Sequence, residues 1–282
     1  MVSFDNKLAL IKHLDHFRLA KTTVGFVPTM GALHQGHLSL IAKSLQDNAI
    51  TIVSIFVNPT QFNNQNDLQN YPRTLENDLA QIQTLSDQVL VYAPTVTDLY
   101  PENAVATTYH FDGLENQMEG KFRPGHFNGV GTIITKLFEI IKPTNAYFGE
   151  KDFQQLQIVK KLTAKYNLNT KIVGCEVFRE QNGLAMSSRN ERLTAQQRAQ
   201  GSIIYETLLE AKTLFKHTSA KEVAAYVEKK FSSQTEFELE YFEIACENDL
   251  VSCKNKSKNK NYRAFIAVFA KNIRLIDTLA LY

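Results

Sequence analysis

The sequence predicts an α/β protein with a doubly wound parallel sheet, followed by a second, smaller α+β domain. Three observations predict this fold. Up to about residue 188, short apolar runs rich in β-branched residues alternate with segments of helical period, as in parallel strands joined by helices. Beyond that point, two helical stretches precede the apolar–polar alternation of antiparallel strands. The 282 residues, 44% of them hydrophobic, are enough to bury the core of each domain.

The elements of the parallel sheet follow from this alternation. Each predicted strand is a short apolar run, and each predicted helix repeats its apolar residues at a spacing of three and four. In such a sheet, ligands bind beyond the carboxyl ends of the strands, so we expect functional residues in the loops that follow them. The predicted strands are residues 24–27, 49–56, 88–92, 145–148 and 170–174, and the predicted helices are residues 6–19, 37–46, 74–86, 130–141 and 153–166.

The smaller domain is predicted from the last third of the chain. Residues 237–244 alternate between apolar and acidic or aromatic side chains, which indicates a strand with one buried face. We expect residues 1–180 to form the larger domain and residues 181–282 to form the smaller one. The predicted helices of the smaller domain are residues 195–215 and 220–231, and its other predicted strands are residues 262–269 and 273–276.

Composition and charge exclude several functional classes. A formal net charge of +2 gives little attraction to nucleic acid or to an anionic membrane. No stretch reaches the roughly 18 uninterrupted apolar residues of a membrane helix, and the first residues lack the pattern of a signal peptide. We therefore expect a cytoplasmic protein with no membrane partner. Residues 254–261 are rich in lysine and asparagine but contain no aromatic side chain to stack a base, so we interpret them as a polar loop and expect no nucleic-acid partner.

The turn after the first predicted strand is the most informative segment of the chain. It carries His34 and His37, with Gly31 and Gly36 beside them, and it opens a predicted helix. A helix N-terminus attracts anions, glycines let the backbone approach a ligand closely, and two imidazoles three residues apart lie on one helix face. The segment predicts a binding site for a nucleotide triphosphate, although the bare H-x-G-H pattern also suits two surface histidines near a loop.

Loops after other predicted strands supply further groups for such a site. Gln61 offers an amide that both donates and accepts hydrogen bonds. Lys151 lies in a turn that begins at Gly149 and opens a helix, where its ammonium suits a phosphate. Residues 186–190 combine two serine hydroxyls with a guanidinium. Residues 120–129 hold two cations and three glycines, and we interpret them as a mobile lid or a phosphate-contacting loop, not as part of the core.

These segments also carry a resemblance to a known family. Together with residues 56–62, 71–74, 123–127 and 147–155, they resemble the motif series of the pantothenate synthetases, or pantoate–beta-alanine ligases, within residues 24–190. That family belongs to the H-x-G-H nucleotidyltransferase superfamily. The resemblance implies a Rossmann-like fold, a homodimer, dependence on Mg²⁺ and a two-step ligation. (R)-Pantoate and ATP give pantoyl adenylate and pyrophosphate, and beta-alanine then displaces AMP to form pantothenate, a precursor of coenzyme A.

The resemblance also implies roles for individual residues. His37, His34 and Lys151 are then the catalytic residues, with His37 as a proton donor. Gln61 and Gln155 hold pantoate, and Gln61 also lies beside beta-alanine. The smaller domain is expected to cover the active site, and the metal ligands are unknown. The implied ATP contacts are Met30, Gly31, Ala32, Leu33, His34, Gln35, Gly36, His37, Gly149, Glu150, Lys151, Asp152, Phe178, Met186, Ser187, Ser188 and Arg189.

Simple chemistry supports this assignment while leaving two other classes open. A carboxyl pKa near 4 leaves pantoate ionised at neutral pH, so adenylate formation needs no base, whereas beta-alanine must lose a proton and the sequence identifies no base for it. Another H-x-G-H nucleotidyltransferase would favour further cations over Gln61 and Gln155 in its acceptor pocket. A nucleotide-sensing domain would bind ATP without turning it over. Intact His37, Lys151 and Arg189 argue against a sensor, because binding alone rarely requires contacts to the leaving group.

Overall fold

The computed structural model describes residues 1–63 and 65–282. The chain divides into two compact units, one formed by Met1–Gly149 with Gln155–Cys175 and the other by Glu150–Gln154 with Glu176–Tyr282. The predictions of a boundary after residue 180, and of an active site covered by the smaller domain, stay predictions. Among the described residues, no helix has both the length and the apolar character needed to cross a membrane.

The secondary structure alternates strands and helices up to residue 175. The strands are β1 Val2–Phe4, β2 Val24–Thr29, β3 Ile50–Ile55, β4 Leu90–Tyr92, β5 Asn145–Gly149, β6 Lys171–Cys175, β7 Glu238–Cys246, β8 Tyr262–Ala270 and β9 Ile273–Ala280. The α-helices are α1 Lys7–Leu19, α2 Gln35–Asp47, α3 Gln65–Gln69, α4 Leu75–Leu85, α5 Val96–Leu99, α6 Met118–Phe122, α7 His126–Ile141, α8 Phe153–Lys165, α9 Ala195–Gln200, α10 Ser202–Phe215 and α11 Ala220–Ser232. Short 3₁₀ turns are Pro59–Gln61, Leu114–Asn116, Glu150–Asp152 and Ser188–Arg192.

The first unit contains a parallel sheet with the order β1-β4-β3-β2-β5-β6. Val27, Val53 and Val91 lie in neighbouring strands and are fully buried, as expected of a parallel sheet covered on both faces. The chain runs outward from β2 in one direction through β3 and β4, and in the other direction through β5 and β6. The order therefore reverses between β2 and β5, which is the point where open α/β sheets bind ligands. The predicted doubly wound parallel fold is confirmed.

The second unit contains an antiparallel sheet with the order β7-β8-β9. Leu208 of α10 and Val227 of α11 are buried in one cluster with Ile266 of β8, so the two helices share a core with the sheet. Residues 254–261 connect β7 to β8 outside the strands. The smaller α+β fold is therefore also confirmed.

Two predicted segments differ from the structure by more than the positions of their ends. The single helix predicted over 195–215 is wrong, because Gly201 separates α9 from α10, and glycine is a weak helix former. The lid or loop predicted over 120–129 is also wrong in part, because α7 begins at His126 and buries His126, Phe127 and Gly129. Here the glycine serves packing, since a Cβ on Gly129 would overlap the Thr60 carbonyl in the first unit.

Candidate active site

The turn after β2 leads from the sheet into α2 at the point where the strand order reverses. Gly31 and Ala32 both adopt left-handed backbone angles, with φ of +82° and +50°. Thr29 supports this turn because its Oγ1 accepts the Gly31 N–H at 3.2 Å and donates to the Ser54 carbonyl at 2.7 Å. A glycine makes the first of these angles easy, whereas at Ala32 the surrounding hydrogen bonds must hold the backbone.

Asp78 of α4 supplies those hydrogen bonds. Its carboxylate accepts the N–H of Ala32 at 3.1 Å and the N–H of Leu33 at 2.8 Å, and the side chain is fully buried. The Thr74 hydroxyl donates to the same carboxylate at 3.2 Å. These three donors satisfy a buried charge and fix the turn that leads into the two histidines. Sequence reasoning missed Asp78, whose only visible signal was an acidic residue in the first turn of a helix.

His34 and His37 lie together at the N-terminus of α2. Their rings stack with centroids 4.0 Å apart, and both side chains are half-buried. Nδ1 of His34 accepts the Gly36 N–H at 3.1 Å, and Nδ1 of His37 accepts the His34 N–H at 3.3 Å. An imidazole that accepts at Nδ1 carries its proton on Nε2 when it is neutral. The two rings therefore cap the helix with one nitrogen each and have a donor on the other.

Gln61 lies in the 3₁₀ turn after β3 and is nearly buried. Its Nε2 donates to Met30 Sδ at 2.9 Å, which links it to the turn after β2. Its Oε1 accepts from Nδ2 of the buried Asn58 at 3.2 Å, so the orientation of the amide is set. Burial raises the pKa of Tyr100, whose protonated hydroxyl donates to Asn58 Oδ1 at 2.8 Å. Asn58 is thus a second supporting residue that sequence reasoning missed.

Gly149 and Gln155 complete the predicted site residues of the first unit. Gly149 ends β5, which is paired with β2, so it lies beside the reversal of strand order. A Cβ built on Gly149 would meet no described atom within 4 Å, so packing does not require the glycine and leaves space there. Gln155 lies in the first turn of α8 and is half-buried.

Lys151 belongs to the second unit, in the 3₁₀ turn Glu150–Asp152. Its Nζ lies 3.0 Å from a carboxylate oxygen of Asp152, and its side chain is 20% exposed. The Glu150 carboxylate accepts from Nη2 of Arg263 at 2.9 Å. The motif therefore presents one lysine ammonium between two acidic residues, one of which is tied to strand β8.

Phe178 and Met186 face each other across a short hairpin of the second unit. The Met186 N–H donates to the Phe178 carbonyl at 2.9 Å. The Phe178 side chain is 41% exposed, and Ser187 caps the following 3₁₀ turn by accepting the Arg189 N–H at 3.2 Å. Ser188 and Arg189 lie in that turn. The hairpin therefore orders the serine and arginine motif.

The same hairpin is tied to β9 by an ion pair between the half-buried Arg179 and the buried Asp277. The guanidinium of Arg179 donates to both carboxylate oxygens of Asp277, at 2.6 and 3.0 Å, and lies over the Tyr205 ring. Burial raises the pKa of Asp277, and the hydrogen bonds from Arg179 and the Thr278 N–H oppose that effect. A bidentate pair of this kind fixes both position and orientation.

Within each unit the structure links some of the predicted site residues, such as Gln61 with Met30 in the first and Met186 with Phe178 in the second. In the first unit, residues 30–37 and Gln61 lie at the carboxyl ends of β2 and β3. In the second unit, the turn that carries Lys151 is joined to β8. Among residues 1–63 and 65–282, no group of three or more His, Cys, Asp or Glu side chains is arranged to hold a metal ion.

Comparison with known proteins gives a consistent result along the whole chain. The family model described as pantoate-beta-alanine ligase matches residues 3–280. A pantothenate synthetase of Flavobacterium psychrophilum is 60% identical over 281 residues, covering 100% of each chain. The crystal structure of a pantothenate synthetase from Thermus thermophilus matches with a TM-score of 0.91 at 35% identity, covering 100% of each chain.

A further solved structure carries ligands. The pantoate-beta-alanine ligase of Francisella tularensis, complexed with beta-gamma ATP and beta-alanine, matches with a TM-score of 0.80 at 36% identity. The match covers 100% of this chain and 98% of the other. The family predicted from the motifs is therefore confirmed. The chain belongs to the pantoate–beta-alanine ligase family and is an enzyme that joins pantoate to beta-alanine.

Proposed function

We propose that the protein makes pantothenate from pantoate, beta-alanine and ATP in two steps. The pantoate carboxylate attacks the α-phosphorus of ATP, forming pantoyl adenylate and releasing pyrophosphate. The beta-alanine nitrogen, after losing a proton, attacks the acyl carbon, and AMP leaves. The observation that carries this proposal is the stacked pair His34 and His37, which caps α2 beside the reversal of strand order. A helix N-terminus with two imidazole donors suits an oligophosphate better than any neutral ligand.

Negative charge moves onto the phosphates in the first step. As pyrophosphate leaves, charge grows on its bridging oxygen, and preorganised donors at that place lower the barrier. Because Nδ1 of each histidine accepts a backbone N–H, Nε2 of each ring is the donor that we assign to the phosphates. We propose His37 as the principal leaving-group donor, with His34 beside it.

The remaining proposed ATP contacts combine backbone and charge. Residues 30–37 and Gly149 lie beside the strand-order reversal, where a phosphate chain can approach their backbone closely. Lys151 supplies a point charge, and Ser187, Ser188 and Arg189 supply hydroxyls and a guanidinium. Glu150, Asp152, Phe178 and Met186 are also proposed as ATP contacts, with the backbone of Phe178 assigned to adenine.

Mg²⁺ is proposed to arrive with the ATP phosphates. The described residues form no three-group metal cluster, and the nearby carboxylates already have partners: Asp78 holds backbone N–H groups and Asp152 pairs with Lys151. Mg²⁺ typically keeps several waters and binds substrate phosphates with few protein ligands. We therefore propose that substrate phosphates and water, and not a magnesium site built from the described residues, hold the ion.

The resemblance to the family also supports proposals about assembly and location. We propose a homodimer in the cytoplasm, with small molecules as its other partners and with neither nucleic acid nor membrane bound. Sedimentation equilibrium would test the dimer. The moderate net charge of +2 agrees with the absence of a polyanionic partner.

A pyrophosphate-release assay tests the proposed reaction. With pantoate and ATP alone, one equivalent of pyrophosphate per active site is expected in a burst, and beta-alanine should then permit continuous turnover with AMP and pantothenate as products. Release that needs a phosphorylated acceptor in place of pantoate would indicate another nucleotidyltransferase. ATP binding without any pyrophosphate release would indicate a nucleotide sensor.

Replacing Gln61 or Gln155 with alanine is expected to raise the pantoate concentration needed for half-maximal rate while ATP affinity stays nearly the same. The reason is that neutral amides orient a small hydroxy acid without competing for the phosphates. Isothermal titration with each ligand measures both affinities. Gln157→Ala, two residues further along α8, is the matched control. An ATP affinity that falls as far as that of pantoate would contradict the assignment.

A further inference from the structure

Arg263 of β8 is a buried cation with two carboxylate partners. Arg263 is 4% exposed to solvent. Nε donates to Glu247 at 2.8 Å, and Nη2 donates to Glu150 at 2.9 Å. Cζ of the guanidinium also lies over the Phe153 ring, 3.9 Å from its centroid. A buried charge is tolerated only when it is paired and hydrogen-bonded, and these contacts satisfy that condition.

Two of these partners lie on either side of Lys151. Glu150 precedes the lysine, and Phe153 follows it by two residues at the start of α8. The guanidinium therefore holds the 3₁₀ turn Glu150–Asp152 at both ends, through an ion pair on one side and a stacked ring on the other. Phe153 is itself supported by Phe265 of β8, with ring centroids 6.1 Å apart. Glu247, which directly follows β7, accepts the hydrogen bond from Nε of the same guanidinium.

We propose that Arg263 is a positioning residue for the ligation reaction, acting through Lys151. Its guanidinium fixes the turn that carries Lys151, so that the ammonium is held where the substrate phosphates need it. This inference rests on the proposed phosphate role of Lys151. Arg263 itself is assigned no contact with substrate. Preorganisation of this kind matters because a displacement of about 1 Å at a reacting centre can cost about 100-fold in rate.

The geometry explains why an arginine is needed. The planar guanidinium donates in two directions and stacks on an aromatic ring at the same time. A lysine at this position would keep the charge and could pair with one carboxylate, but it offers no flat surface to Phe153. Arg263→Lys is therefore the informative variant, because it keeps the charge and removes the fixed geometry.

A double-mutant cycle with Lys151→Met tests the proposal. Single-turnover adenylate formation is measured for Arg263→Lys, for Lys151→Met and for the double variant, at a temperature where thermal melts show each protein folded. We expect Arg263→Lys to slow the step by about 10- to 100-fold in the presence of Lys151. In the Lys151→Met background the same change should slow it less than about twofold, because residues that act as a unit are non-additive.

Two further variants keep the test decisive. Glu150→Gln is a smaller change that weakens the hold of Arg263 on the same turn. It replaces Arg263→Lys in the double-mutant cycle if Arg263→Lys fails to fold. Arg274→Lys is the matched control, because Arg274 of β9 pairs with Glu240 of β7 in the same sheet, and we expect it to leave the rate unchanged. Equal slowing by Arg263→Lys with and without Lys151 would overturn the positioning role. If Lys151→Met itself has no effect, the proposed role of Lys151 fails instead.

Discussion

Replacing His37 with alanine is expected to slow adenylate formation by about 100- to 1,000-fold, the scale measured when one preorganised donor to a developing charge is removed. In the role proposed for it, the imidazole stabilises the leaving pyrophosphate, so pantoate affinity should change little. The structure gives the physical reason, since Nδ1 of His37 accepts the His34 N–H, which places the proton of a neutral ring on Nε2. Rapid-quench measurement of pyrophosphate in a single turnover gives the rate directly.

The control for this change is His16→Ala, which removes an exposed histidine from the last turn of α1. It should leave the single-turnover rate and the melting temperature unaltered. His37→Ala also removes one acceptor from the N-terminus of α2, so its melting temperature must be recorded alongside the rate. If a folded His37→Ala protein forms the adenylate as fast as the parent, His37 takes no part in the chemical step.

Replacing Asp78 with asparagine is expected to lower both stability and activity, although the side chain lies on a different helix from the histidines. The amide would keep one oxygen acceptor, but its NH₂ group would oppose the N–H that the second carboxylate oxygen now accepts. Hydrogen bonds to a charged group contribute about 1.5–3 kcal/mol, so a loss of about 2 kcal/mol in the free energy of unfolding is expected. Urea denaturation measures this loss.

The activity of Asp78→Asn tests the link between this carboxylate and the turn. With Ala32 no longer held at its positive φ, the start of α2 should lose its fixed position. We expect weaker binding of a non-hydrolysable ATP analogue and a slower single turnover under conditions where the protein is folded. Glu76→Gln is the control, because Glu76 is exposed in the first turn of the same helix. An Asp78→Asn variant that binds the analogue normally would show that the turn keeps its conformation without the carboxylate.

The sequence predicts the parts of the site that are local. His34, His37 and Gln61 follow predicted strands, and parallel topology alone brings such loops to one edge of a sheet. Helix α2 nevertheless begins at Gln35, two residues earlier than predicted. The reason is that His34 is the N-cap of α2. Ser, Thr, Asp or Asn usually occupies that position, so the usual cap residues did not indicate where this helix begins.

The supporting residues could not be predicted, because their roles depend on contacts between distant parts of the chain. Asp78 is 45 residues from Leu33, and Arg263 is 113 residues from Glu150. In the sequence each is an ordinary charged residue of a helix or strand, typical of a solvated face. Only burial and pairing distinguish them, and neither can be read from periodicity. The lid or phosphate-contacting loop predicted over 120–129 was wrong in part for a related reason, since its glycines indicate flexibility and also permit close packing.

The discontinuous composition of the smaller unit limits how the protein can be dissected. That unit takes Glu150–Gln154 from the middle of the chain and adds it to Glu176–Tyr282. A fragment of residues 176–282 would keep Arg263 and Glu247 but would lack Glu150 and Phe153, leaving a buried guanidinium with one of its three partners. The smaller unit is therefore not a module that one cut can release or one splice can transfer. A hybrid enzyme that exchanges it must carry the short central segment along, as a graft of two pieces of chain.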